Sequence, residues 1–105
     1  MKVFFSEKAE WRIDDTAEYI KSEFGRRAEQ EFKGKVRNIV RLLSSNPYLG
    51  PVEPLLADRP TTYRSVVVAR QNKMVYRIMD DSIEIADFWD CWREPDLQAE
   101  KMRNI

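Results

Sequence analysis

The feature that most constrains the fold is a pair of amphipathic helical patterns separated by a single glycine. Apolar residues recur at helical spacing in both patterns. The first stripe consists of Ala9, Ile13, Ala17, Ile20 and Phe24. The second consists of Ala28, Phe32, Val36, Ile39, Val40 and Leu43. Gly25 is a natural residue to end the first helix, and so short a connection predicts two helices lying side by side as an α-hairpin.

Strand-like segments flank the predicted hairpin on both sides. A short one at 3–5 precedes Ser6, which is well placed to cap the first helix. Three longer runs at 63–69, 73–79 and 82–89 are rich in β-branched and aromatic residues. Because the connections between these runs are short and turn-prone, they predict an antiparallel meander. The element order βααβββ indicates an α+β fold with the hairpin packed on one face of an antiparallel sheet.

Two segments lack an apolar period. The segment 46–62 holds four of the five prolines and predicts a long surface loop of the functional or mobile kind. The tail beyond Pro95 is compatible with a further short helix. No window approaches the ~18 consecutive apolar residues of a membrane helix, and acids follow the N-terminus too closely for a secretory signal. We therefore expect one cytoplasmic domain spanning 1–105.

Composition excludes several kinds of site. The chain has no histidine, one cysteine (Cys91) and three glycines, which rules out a zinc cluster, a Cys/His nucleophile and a glycine-rich phosphate loop. The carboxylates that follow residue 79 alternate too imperfectly to predict a metal site. We expect neither a metal nor a cofactor, and we expect Cys91 to be a packing residue.

The equal numbers of acidic and basic residues, eighteen of each, conceal two oppositely charged segments. The segment 78–100 carries eight acids and a single base, Arg93. The segment 59–77 has no acid and five bases, which are Arg59, Arg64, Arg70, Lys73 and Arg77. A one-sign patch of this kind attracts phosphate or a carboxylate-rich partner.

Strand alternation assigns these bases to a face of the predicted sheet. The apolar set Met74, Tyr76 and Ile78 is expected to meet the helices. The pattern then predicts that Arg64, Lys73 and Arg77 converge on the open face. An ordinary solvated face is the alternative at equal weight, and the absence of acids favours a binding role.

The last strand ends in an unusual group of residues just before Pro95. Tryptophan and arginine are the residues that dominate protein interfaces. Trp92, beyond the strand and beside Arg93, is therefore predicted to be an interface anchor. Trp89 is expected to complete the core under the helices.

Taken in order, these segments resemble the RelE/ParE superfamily of toxins from type II toxin–antitoxin modules. The matching features are the base Arg64 that opens a strand, the strand KMVYRI, the turn MDD, the strand IEIADFW and the closing WREP, preceded by NPYLGPVEPLL. The resemblance covers nearly the whole chain and depends on order and spacing together. It implies the RelE/ParE fold and a cognate antitoxin that neutralises the toxin. Operator DNA is then expected to be bound only through the antitoxin complex.

The resemblance implies one of two growth-inhibiting activities. RelE-like members cleave mRNA in the ribosomal A site without a metal, so cations must stabilise the pentacovalent phosphate. Position by position, that route assigns catalysis to Arg64, Lys73 and Arg93. ParE-like members instead bind and poison DNA gyrase. Two departures favour the ParE-like side, because the second base of the RelE pair falls on Val66 and the C-terminal tyrosine falls near Ala99.

We therefore expect the toxin of a plasmid-stabilisation module, closer to ParE than to RelE, that binds an essential macromolecule such as DNA gyrase. A ribosome-dependent mRNA endonuclease is one alternative, and a catalytically degenerate interaction or co-repressor module is another. The residues predicted to bind the partner or nucleic acid are Arg59, Arg64, Arg70, Lys73, Arg77, Trp92 and Arg93. The unopposed basic segment further predicts an antitoxin with an acidic, partly disordered segment.

Overall fold

A computed structural model describes residues 1–69 and 72–90. The predicted order βααβββ is confirmed. The elements are β1 (Lys2–Phe5), α1 (Glu7–Phe24), α2 (Arg26–Ser45), β2 (Arg64–Ala69), β3 (Asn72–Ile78) and β4 (Ser82–Asp90). The predicted tail helix lies outside the described residues, as do Arg70, Cys91, Trp92 and Arg93.

The helical hairpin has the boundaries that the sequence predicts. Ser6 caps α1, because its Oγ accepts a hydrogen bond of 3.1 Å from the backbone N–H of Ala9. The same hydroxyl donates to the carbonyl of Ala86 at 2.9 Å and so joins the start of α1 to β4. Gly25 adopts a φ of 93°, which lets the chain turn directly from α1 into α2. Neither of the two described helices has the combination of length and apolarity that a membrane span requires.

The four strands form one sheet in the order β1-β4-β3-β2. The meander β2–β3–β4 is antiparallel, as predicted. In contrast, β1 pairs with β4 in parallel, with Lys2 opposite Ser82 and Phe5 opposite Ile85. The sheet is therefore mixed, and its first and last strands in sequence are direct neighbours.

The main core lies between the hairpin and the sheet. The buried helical positions belong to the two predicted stripes, and Met74 and Tyr76 face them from β3 as predicted, with Ile78 packed at the margin. Phe32 and Phe88 meet edge to face, with ring centroids 5.7 Å apart. The remaining buried members of this core are Ala9, Ile13, Ala17, Val36, Leu43, Ile83 and Ile85.

A second, smaller cluster lies on the opposite face of the sheet. It consists of Leu56, Val75 and Trp89, with Tyr63 packed against it. Trp89 is buried as expected, but the expectation that it lies under the helices is wrong. The pairing register places Trp89 opposite Lys73, on the face that points away from the hairpin.

The loop before β2 forms the cover of this second cluster. Most of the predicted surface loop is exposed, but Gly50, Glu53 and Leu56 are buried. Val52 bridges to Arg64 at the edge of β2, and a 3₁₀ turn follows at Pro54–Leu56. The loop therefore extends the sheet and packs against its outer face.

Candidate functional site

The three bases predicted to converge do not lie on one face of the sheet. Arg64 is opposite Tyr76 in the β2–β3 ladder, and Lys73 is opposite Val67. Because residues that face each other across a ladder share one side of the sheet, Arg64 is on the hairpin side and Lys73 is on the outer side. Arg77 shares the side of Lys73 by alternation within β3. The predicted convergence is wrong because alternation within each strand does not fix the register between strands.

Lys73 is paired with a buried carboxylate from the loop. Its Nζ donates to Oε1 of Glu53 at 3.0 Å, and the Ser65 hydroxyl donates to the same oxygen at 2.9 Å. The other oxygen, Oε2, accepts from the backbone N–H of Leu55 at 3.0 Å. Burial by itself raises the pKa of Glu53, but the bonds from Leu55, Lys73 and Ser65 together hold that pKa below its usual value. The result is a closed ion pair beneath the loop.

The sequence predicted an open face without acids, but the outer face of the sheet does contain them. Arg77 donates through Nε to Oε1 of Glu84 at 2.8 Å. Glu84 comes from the neighbouring strand β4, and Glu53 comes from the loop. Both carboxylates lie outside the segment 59–77, so counting charge along that segment could not reveal them.

Arg64 is fixed at the opposite edge by the loop. Its Nη1 donates to the carbonyl of Gly50 at 2.9 Å, and its guanidinium lies 4.9 Å from the ring centroid of Tyr48. A Cβ on Gly50 would overlap the carbonyl oxygen of Ser65, so this close approach of loop and strand requires glycine.

The hydroxyl of Tyr76 binds the same loop through two hydrogen bonds. Its Oη donates to the carbonyl of Pro47 at 2.8 Å and accepts from the backbone N–H of Gly50 at 2.9 Å. Burial raises the pKa of Tyr76, so the phenol stays protonated and can donate. The position of Arg64 and Tyr48 is thus set by a side chain of the main core.

Exposed apolar side chains surround the loop and β2. Tyr48 is the most exposed, at 68%. We call the following residues the β2-edge surface: Tyr48, Leu49, Val52, Leu55, Arg64 and Val67. Periodicity did not find this surface, because most of its members lie in the aperiodic loop. The available signal was the high apolar content of YLGPVEPLL, which is unusual for a solvated loop.

Of the remaining predicted binding residues, the structure describes Arg59 alone. The backbone N–H of Arg59 donates to the carbonyl of Leu56 at 3.1 Å, at the end of the loop. Arg70, Trp92 and Arg93 fall outside the described residues. Within residues 1–69 and 72–90, no group of three or more side chains is placed to hold a metal ion.

Comparison with solved structures relates this fold to bacterial toxins. The chromosomal ParDE toxin–antitoxin system from P. aeruginosa matches at 17% identity and a TM-score of 0.68, over 84% of this chain and 92% of that chain. The YoeB dimer from Staphylococcus aureus matches at 20% identity and a TM-score of 0.56, over 83% and 92%. The YoeB/ParE toxin from Agrobacterium tumefaciens matches at 22% identity and a TM-score of 0.57, over 84% and 95%.

At these identities the structural likeness concerns the fold, and no curated protein matches the sequence. The family follows from a sequence model, described as the ParE toxin of the type II toxin–antitoxin system parDE, which matches residues 3–94. The match covers most of the chain, and the mixed sheet with its helical hairpin agrees with the solved toxins. The chain therefore belongs to the ParE toxin family of type II toxin–antitoxin systems, within the RelE/ParE superfamily.

Proposed function

We propose that this toxin arrests growth by binding an essential protein, with DNA gyrase as the favoured target, rather than by cleaving mRNA. The supporting observation is the separation and neutralisation of the predicted catalytic cations. Arg64 and Lys73 occupy opposite sides of the sheet, and Lys73 is paired with Glu53. Stabilising a pentacovalent phosphate requires cations that converge and are available to the phosphate. Binding is the activity that this arrangement supports better.

The β2-edge surface is the contact region that we favour for the target. Aromatic residues and arginine supply most of the energy in protein interfaces, and Tyr48 and Arg64 provide both in one stacked pair. Gly50 holds Arg64 in place before any partner arrives. Such pre-ordering reduces the entropy lost when a complex forms.

Family membership implies a cognate antitoxin as the partner of this toxin. We further propose that the antitoxin offers an acidic, partly disordered segment. Lys73 and Arg77 already have carboxylate partners within the toxin. We therefore assign the charged contacts with the antitoxin to bases other than these two. A charge-driven complex should associate more slowly as salt is added, and an association rate independent of salt would contradict this part of the proposal.

The central experiment is induced expression in a bacterial host, with and without the antitoxin gene, while growth, plasmid supercoiling and mRNA integrity are followed. We expect arrest, loss of supercoiling and no codon-phased cuts. Tyr48→Ala should weaken target binding at least tenfold, as expected for an interface anchor. Trp11→Ala is the matched control, because Trp11 is 66% exposed but lies on α1, away from the proposed surface.

Three results would redirect the assignment. Codon-phased mRNA cuts that vanish in Lys73→Met would identify a RelE-like nuclease. Arrest with neither cuts nor supercoiling loss would point to another target. A folded protein that causes no arrest would favour an interaction or co-repressor module acting with the antitoxin.

A further inference from the structure

The two helices of the hairpin carry opposite charge. In α1, six acids exceed three bases, and two of those bases, Lys8 and Arg12, are bound to the buried carboxylate of Asp87. In α2, six bases exceed two acids. The outward side of the hairpin is therefore acidic along one helix and basic along the other, on a chain whose net charge is zero.

Four of the α2 bases form a single stripe. Arg26, Lys33, Arg37 and Arg41 are separated by seven, four and four residues, which places them on the same side of the helix. All four are exposed. Across residues 1–69 and 72–90, no carboxylate pairs with Arg26, Arg37 or Arg41.

Two residues of the stripe, Lys33 and Arg41, have polar contacts within the chain, and both contacts are weak. Lys33 lies 3.5 Å from Glu29 and keeps 47% of its side chain exposed. Arg41 donates to the amide oxygen of Asn38 at 2.5 Å, which leaves its charge uncompensated. The stripe is thus a row of cations whose charge is available to a ligand.

Gly34 flanks this stripe about halfway along its length. Glycine inside a helix is unfavourable relative to alanine, so its presence calls for a reason. A Cβ at position 34 would meet only Nη2 of Arg37, at an ordinary distance of 3.8 Å. Packing within the chain therefore does not require glycine here. Close approach of another molecule's backbone to α2 would require it.

We propose that this side of α2 binds the sugar–phosphate backbone of duplex DNA directly, in contrast to the expectation that DNA is bound only through the antitoxin complex. We call it the α2 cationic face, formed by Arg26, Gln30, Lys33, Gly34, Arg37 and Arg41. The stripe covers fifteen helical steps, or about 22 Å, along which a duplex presents roughly one negative charge per 1.7 Å. Arginine, lysine and glutamine are among the side chains that contact phosphates, and the face carries four bases against one neighbouring acid, Glu29, whose side chain is only 13% exposed.

The composition also argues against other partners. The face has no aromatic residue, whereas single-stranded nucleic acid is held by stacking on aromatic rings. Protein interfaces likewise concentrate aromatic anchors, and the α2 cationic face has none. The inference concerns a different part of the molecule from the proposed target surface and does not depend on which target the toxin binds.

The test is a fluorescence anisotropy titration of the full chain with a 20-base-pair duplex at several salt concentrations. Four phosphate contacts predict a slope of log K against log salt of about −3.6, which weakens binding roughly 100-fold between 50 and 200 mM salt. Arg37→Gln should reduce the steepness of the slope by about one. Lys21→Gln, an exposed base on α1, is the matched control and should leave the slope unchanged.

Gly34→Ala separates binding from folding. Alanine is the better helix former, so we expect this variant to melt at a higher temperature than the native chain while binding DNA at least tenfold more weakly. Ser22→Ala, at an exposed position of α1, should leave DNA binding unchanged.

The proposal is overturned if the duplex does not bind at 50 mM salt, or if Arg37→Gln and Lys21→Gln change the slope equally. Tighter binding of a single strand than of the duplex would also overturn it. Gly34→Ala binding at native strength would remove the role given to that glycine.

Discussion

The two faces of the sheet are covered in different ways, and the difference separates what stabilises the toxin from what shapes its surface. The hairpin side has a continuous apolar core that includes Phe88 and Tyr76. In the described part of the chain, the apolar cluster of the outer side has three buried residues, and it lies beside a buried carboxylate, Glu53, that binds Lys73. Apolar burial is non-directional and scales with area, whereas hydrogen bonds to Glu53 depend on geometry. The hairpin side should therefore provide most of the free energy of folding, whereas the contacts of the outer side fix the position of the loop.

The most direct way to break this comparison is to remove apolar volume from each face. We expect Phe88→Ala to lower the free energy of unfolding by about 3–5 kcal/mol, because the phenyl ring is fully enclosed by the main core. Leu56→Ala on the outer face should cost less, about 2 kcal/mol, because a short 3₁₀ turn in a loop can shift into the gap more readily than a strand of the sheet. Urea denaturation measures both values, and equal losses would contradict the unequal roles of the two faces.

The buried ion pair gives the next largest effect. Glu53→Ala leaves Lys73 and the Ser65 hydroxyl without their acceptor, and we expect a loss of about 2 kcal/mol. The value lies below that of a fully buried pair because 31% of the Lys73 side chain is exposed to water. Glu84→Ala is the control, with an expected loss under about 1 kcal/mol, because both members of the Arg77–Glu84 pair are partly exposed.

Tyr76 links the two faces, since its ring belongs to the main core and its hydroxyl holds the loop. Tyr76→Phe keeps the ring but leaves the N–H of Gly50 without its acceptor, and we expect a loss of about 1.5 kcal/mol. The amide of Gly50 should then exchange its hydrogen faster than the loss of global stability alone explains. The amides of α1 and α2 should be accelerated only by that global loss. If exchange at Gly50 and at the helical amides were accelerated by the same factor, the hydroxyl would not act locally on the loop.

The smallest effect is a pH dependence confined to the outer face. The pKa of Glu53 is lowered in the folded protein, so its contribution is fully present above the ordinary value of 4.5 and is lost as pH falls through the folded-state pKa. The stability difference between the native chain and Glu53→Gln should therefore be constant from pH 7 to about 5 and shrink at lower pH. A difference that grows on acidification would contradict the lowered pKa.

The hairpin side was predictable from sequence because its information is local and periodic. The spacing of Ile13 and Phe32 with their stripe neighbours, the cap at Ser6 and the turn at Gly25 each follow from the nearest few residues. The alternation of Met74 and Tyr76 likewise identified the inward side of β3.

The outer face was not predictable because it depends on contacts between distant residues. The register that separates Arg64 from Lys73 is a relation between two strands. Glu53 reaches Lys73 from a loop twenty residues earlier, and no periodic pattern marks that carboxylate as buried. The alternation in β4 also shifts at the irregularity opposite Val75 and Tyr76. The sequence showed which charged and apolar residues this region contains, but it did not show how they are arranged in space.

The parallel pairing of β1 with β4 has a consequence for the timing of activity during synthesis. The strand that leaves the ribosome first finds its neighbour only after Ser82–Asp90 has been made, about eighty residues later. At about 5–20 residues per second, that interval is roughly 4–16 s. Throughout it the sheet lacks β4, the strand that pairs with both β1 and β3, so the four-stranded sheet cannot form. The nascent chain can therefore complete this sheet only after Ser82–Asp90 has been synthesised, so any activity that needs the folded sheet begins after that point.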